Sequence, residues 1–113
     1  MTRSNRAELL LGIEAMGVRA TEQHWALIPP DLAKRLRARV ARVGDALLTL
    51  AATSDSLRMN RVIGLGSRGL AREAMIDEII AFYRAEKLRR FSVELSHGPQ
   101  SGRITGWLLA RGF

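Results

Sequence analysis

Apolar and polar positions divide the chain into segments of two periods. Leu9, Ile13, Met16 and Ala20 recur at helical spacing behind Asn5 and Glu8, which stand at capping-box distance, so the pattern predicts a first helix from about Arg6 to Gln23 that buries this stripe. Gly12 and Gly17 each cost such a helix about 1 kcal/mol relative to alanine, and Gly17 marks a bend or split. Pro29 and Pro30 turn the chain. A second helix is expected from Asp31 to Val43, with Leu32, Leu36, Val40 and Val43 as its buried stripe and Gly44 as its C-cap.

Beyond Gly44 the period changes. Ala46–Thr53 is an apolar run suited to a largely buried strand, and Ser54, Asp55 and Ser56 supply a turn into a second strand, Leu57–Leu65, as a hairpin. In that second strand Leu57, Met59, Ile63 and Leu65 alternate with Arg58, Asn60, Val62 and Gly64, interrupted by Arg61. From about Ala71 to Leu88 the helical period returns, with Ala71, Met75, Ile76, Ile79, Ile80, Phe82 and Tyr83 on one side. Phe91, Val93 and Leu95 then alternate with Ser92, Glu94 and Ser96, which predicts a third strand over Arg90–Ser96, parallel to the second. A last helix over Ser101–Ala110 presents Ile104, Trp107 and Leu108 on one face and ends before Gly112. The expected order is therefore α-α-β-β-α-β-α, an α/β (α+β) domain spanning residues 1–113 with a small mixed sheet and helices packed on it.

The connection between the second strand and the long helix holds the candidate chemistry. Gly64, Gly66, Ser67 and Gly69 tolerate left-handed backbone and close approach, and a turn of this kind facing a helix N-terminus gathers free N–H groups that suit an anion. A tight strand-to-helix connection with no ligand explains the same residues equally well. Gly64, Gly66 and Gly69 also match the dinucleotide fingerprint spacing, but the preceding strand is the arm of a hairpin, and Ser96 and His97 stand where an acid should close the next strand.

Composition narrows the partners. One domain is all that 113 residues allow, and no apolar run approaches the roughly 20 residues that span a bilayer. The first residues lack the pattern of a secretory signal, and the absence of cysteine excludes disulfides and thiolate metal sites, so the expectation is a cytoplasmic protein. A net charge of +7 favours anionic partners. With only 5% aromatic residues no base-stacking pair stands out, which weighs against single-stranded nucleic acid. Lys34, Arg35, Arg37, Arg39 and Arg42, all on the expected second helix, form the most basic surface: a solvated face, or a docking patch for nucleic acid or an acidic partner. His24 has no companion that would make it a metal ligand.

From Ala46 to Phe113 the chain resembles the GNAT family of N-acetyltransferases. The resemblance rests on Arg61, Val62, Ile63, Gly64, Leu65 and Gly66, on Ser67, Arg68, Gly69, Leu70 and Ala71, and on the closing run Trp107, Leu108, Leu109, Ala110, Arg111, Gly112 and Phe113. It implies part of the acyl-CoA N-acyltransferase fold, closest to the first and commonly degenerate module of tandem acetyltransferases. Acetyl-CoA would then lie on Val62, Ile63, Gly64, Gly66, Gly69 and Ala71, with Arg68 and Arg72 as phosphate partners. It implies acetyl transfer to an unknown amine, or a non-catalytic half-module. No catalytic residue is assigned: Tyr83 reads as core, while Ser96 and His97 lack a companion. The open edges of a three-stranded sheet imply self-association or a second module. The alternative is a basic module that binds nucleic acid or a protein.

Overall fold

The computed structural model describes residues 3–113. The chain runs α1 (Arg3–Ala26), α2 (Pro30–Leu36), β1 (Ala38–Val43), β2 (Ala46–Ala51), β3 (Arg61–Ile63), α3 (Glu73–Ala85), β4 (Ser92–Val93) and α4 (Ser101–Ala110). The strands form one sheet in the order β1-β2-β3-β4, antiparallel across the first three and parallel between β3 and β4. The result is a mixed α/β domain with four strands and four helices among the described residues. No helix among them is long and apolar enough to cross a membrane.

The largest departure from the sequence expectation lies between Asp31 and Val43. The helix stops at Leu36, where Arg37 adopts φ +51°, and the next residues extend as β1 instead of completing a third and fourth helical turn. Two β-branched valines and a crowd of like charges make this a poor helix, while pairing gives its backbone a full ladder, Ala38 opposite Ala51 through Val43 opposite Ala46. Gly44, at φ +58°, is the first central residue of a two-residue hairpin turn and not a helix C-cap. Pro29 is the N-cap and Pro30 opens the helix, so Asp31 sits in the first turn.

The other boundaries also shift. The expected hairpin partner, Leu57–Leu65, contracts to Arg61–Ile63, because the residues before it form a turn in which Met59 N and Asn60 N donate to the Ser56 carbonyl at 3.2 and 3.1 Å. The buried Asn60 amide accepts from Ala51 N at 2.8 Å and donates to the Ser54 and Ser56 carbonyls at 2.7 and 3.2 Å. The last strand keeps only Ser92–Val93, and α3 begins at Glu73.

Helix α1 is continuous through Gly12 and Gly17, and it faces the sheet with the side opposite to the expected one. Ala15 and Val18 are buried, whereas Leu9, Ile13 and Met16 are 52, 56 and 62% exposed. Two carboxylates find partners on the sheet side. Glu14 accepts from Ser96 Oγ at 3.2 Å and from His97 N at 3.3 Å, and Glu22 accepts from Arg42 at 3.0 Å. Val18 packs with Leu47 and Ile63 on this face of the sheet.

The main core lies on the opposite face. Leu48, Leu50 and Val62 of the sheet meet Ile76, Ile79 and Tyr83 of α3 and Ile104 and Leu108 of α4. With both faces covered, every residue of β2 is buried. Tyr83 joins the layers: its ring stacks on Phe91 at 4.1 Å, and its hydroxyl lies 2.8 Å from the Thr49 carbonyl and 3.0 Å from that of Arg61, donating across β2 and β3. Burial raises the pKa of this phenol above its ordinary value. Tyr83 is core, as the helical period implies.

Candidate functional site

The turn from Gly64 to Ala71 leaves β3 at the end of the sheet where the Gly44–Asp45 hairpin turn also lies. Gly64 (φ +81°) and Gly66 (φ +75°) hold left-handed backbone that a side chain would strain. Their missing Cβ atoms also make room for neighbours. A Cβ on Gly64 would stand 2.8 Å from Val18 of α1, and one on Gly66 would stand 2.8 Å from Ile104 of α4. These two glycines therefore let helices on opposite faces of the sheet approach one turn.

The sequence implies free amides in a turn facing a helix N-terminus; instead α3 begins only at Glu73, and a carboxylate of the chain itself takes three amides of the turn. Asp45 Oδ1 accepts from Gly66 N at 2.9 Å, and Asp45 Oδ2 accepts from Arg68 N at 2.8 Å and Gly69 N at 2.9 Å. Gln100, the residue before α4, completes the set. Its Oε1 accepts from Ala71 N at 2.8 Å, and its Nε2 donates to the carbonyls of Gly66 and Gly69 at 3.0 and 2.8 Å. The Ser67 N–H goes to Gly64 O at 3.1 Å. An anion nest exists here, with Asp45 as its anion.

A diphosphate on this turn would need the donors that Asp45 holds, and its charge would face that carboxylate. The residues present do not fit such a group in this arrangement. Of the eight candidate residues, Val62 and Ile63 lie in β3 and Gly64 and Gly66 in the turn, all four buried; Arg68 and Gly69 are exposed at its outer rim. Ala71 is buried, and Arg72 is the exposed N-cap of α3, with no side-chain capping bond. Of these, Gly66, Arg68 and Gly69 are brought together on one acceptor, while the Arg72 side chain takes no part.

Asp45 and Gln100 are the two residues missed by reasoning from the sequence. The signal for Asp45 was Gly44–Asp45 as a hairpin dipeptide, since that turn places the carboxylate beside the exit of β3. For Gln100, which follows Pro99 at the start of the last helix, no sequence signal distinguishes a cap from a bridge.

Elsewhere the proposed chemistry stays dispersed. Ser96 is buried and bonded to Glu14, but His97 reaches Glu14 only through its backbone, so no nucleophile–base pair forms. No group of His, Asp and Glu among the described residues could hold a metal ion.

The basic surface is also rearranged. With the expected helix split, Arg37 and Arg39 both pair with Glu86, at 2.8 and 3.2 Å, and Arg42 pairs with Glu22. A different cluster, Arg84, Lys87, Arg89 and Arg90, rims an open groove of about 610 Å³ floored by Leu57, Leu88, Phe91 and Phe113. Arg111, at the groove's edge, is committed to α3 through Asp77 at 2.7 Å and Glu73 at 3.1 Å. No protein-family model, no curated protein and no solved structure matches the chain.

Proposed function

We propose that this chain is an acetyltransferase-like half-module that does not carry acetyl-CoA, and that it serves as an interaction domain. The order of elements supports the acetyltransferase-like part of this reading. From β2 onward an antiparallel strand pair, a crossover helix, a parallel strand and a closing helix keep the order that the resemblance of Arg61–Ala71 and Trp107–Phe113 implies, while β1 is a strand that it does not. The observation that carries the non-catalytic part is the Asp45 carboxylate on the amides of Gly66, Arg68 and Gly69. A self-supplied anion stabilises the turn and repels another one in the same place.

Calorimetric titration with acetyl-CoA tests this. The expected result is no saturable heat from the wild-type chain. Saturable binding that Gly69→Glu abolishes would overturn the reading. In Asp45→Ala the donors are released, so coenzyme binding appearing only in that folded variant would show that Asp45 closes a turn otherwise suited to phosphate.

The alternative function, a basic module for nucleic acid or an acidic protein, is favoured by one observation. Arg84, Lys87, Arg89 and Arg90 converge on one groove and make no salt bridge among the described residues. Phosphate-backbone binding there would fall steeply with salt and be lost on reversing Arg84, Arg89 and Arg90 to Glu.

A further inference from the structure

We infer that two copies of this chain associate through the outer face of α1, with the helices antiparallel about a two-fold axis passing between Ile13 and Met16. The inference names the surface for the interaction role proposed above and rests on that reading only for the role. The surface itself follows from the geometry of α1.

Glu14 and Glu22 hold α1 with Val18 inward, so the apolar stripe of Leu9, Ile13, Met16 and Ala20 points to solvent. These four residues subtend a narrow arc of the helix, the width of a helix-packing seam. Their spacing is self-complementary under antiparallel pairing. Leu9 falls opposite the partner's Ala20 when Ile13 falls opposite the partner's Met16, so large residues meet small or flexible ones along the seam. Gly12 and Gly17 flank the stripe on either side, and an added Cβ on either would meet nothing within 4 Å, so a second backbone can come close.

Charge selects a second copy over an arbitrary apolar partner. Glu8 and Arg19 lie on the same side of the helix about a quarter turn from the stripe, on opposite sides of its midpoint; Arg19 borders the cleft between α1 and the sheet, and neither makes a salt bridge among the described residues. In an antiparallel pair related by a two-fold axis, like flanks face each other. Each Glu8 then lies within about 3 Å, along the axis, of level with the partner's Arg19, because two residues of helix rise separate them. The symmetry makes this pair twice. Arg6 and His24 on the other flank add no opposite charge, so register rests on the Glu8 and Arg19 side. One helical stripe is small beside a standard interface, and association is expected in the high-micromolar range, not as an obligate dimer.

Sedimentation equilibrium over a wide concentration range tests the inference. The expected result is a reversible monomer–dimer equilibrium that Ile13→Glu abolishes. Glu8→Arg alone and Arg19→Glu alone should each weaken it by about tenfold, and the double reversal should restore it. All three positions are exposed, and thermal melts verify that each variant is folded. A strict monomer at the highest concentration overturns the inference. So does a dimer indifferent to Ile13→Glu, which would place association at a sheet edge, or a double reversal no tighter than the single ones. Acetyl-CoA titration is read separately, so the failure of the half-module reading and the failure of this surface are distinguishable.

Discussion

Asp45 Oδ2 lies 2.9 Å from the Gly69 amide nitrogen, joining the β1–β2 hairpin turn to the glycine turn that follows β3. The same carboxylate holds Gly66 N, which is part-buried, so removing it strands a donor with no replacement. Asp45→Ala is expected to destabilise the fold by about 1–3 kcal/mol, and Asp45→Asn as well, because its amide oxygen accepts on one side only and its NH2 group turns toward an amide donor on the other. Urea unfolding followed by circular dichroism measures both. Equal stability of Asp45→Ala and the wild type would mean that the turn is not held by this contact.

Tyr83 gives a prediction in pH. Its phenol is buried and its pKa is raised in the folded chain, while the unfolded chain has the ordinary value near 10. Between those two values the unfolded state loses the proton and the folded state keeps it. The contribution is therefore fully present below about pH 10 and declines as the pH rises above it. Tyr83→Phe should remove that alkaline decline while lowering stability at neutral pH by about 1–3 kcal/mol, through loss of the bond to the Thr49 and Arg61 carbonyls. Denaturant midpoints at neutral and alkaline pH test both parts.

How far the sequence reveals this fold depends on which residues carry the information. Helices α3 and α4 bury one face of a long helical period each, so Ile76, Ile79, Tyr83, Ile104 and Leu108 were legible as core. Gly44 was ambiguous, since a left-handed glycine ends a helix and turns a hairpin with the same φ. Read as a helix end, Gly44 conceals β1, and with it the position of Asp45. For α1 the apolar stripe was real but its burial was not: Ala15 and Val18 face the sheet, Val18 against Leu47 and Ile63, and Glu14 and Glu22 find partners on that same side. The glycine turn was legible; that its amides are not free was not, because the acceptor is a carboxylate distant in sequence.

Arg111 anchors the end of α4 to α3 through a fork on Asp77, with Nε and Nη2 at 2.7 and 3.2 Å and a further bond to Glu73. The hydrogen bond from Arg111 holds the Asp77 carboxyl below its ordinary value. A depressed folded pKa contributes stability that is present above the unfolded value near 4 and is lost as the pH falls below it. Carbon-13 NMR titration should find Asp77 titrating low in the wild type and at the ordinary carboxylate value in Arg111→Ala. An unchanged Asp77 titration in that variant would remove the fork as the cause.

The glycines of the turn separate a structural requirement from a ligand requirement. At Gly66 an alanine would need φ +75° and would bring its Cβ to 2.8 Å from Ile104, so both backbone strain and overpacking oppose it. At Gly69 the backbone is not left-handed and the nearest atom to an added Cβ is Asp45 Oδ2 at 4.0 Å. Gly66→Ala is therefore expected to cost about 2–4 kcal/mol, and Gly69→Ala to stay within about 1 kcal/mol of the wild type. Thermal denaturation of the two variants side by side is the measurement. If Gly69→Ala proves as damaging as Gly66→Ala, the turn needs both glycines for its conformation. If it is tolerated, the fold requires the glycine at Gly66 and not at Gly69.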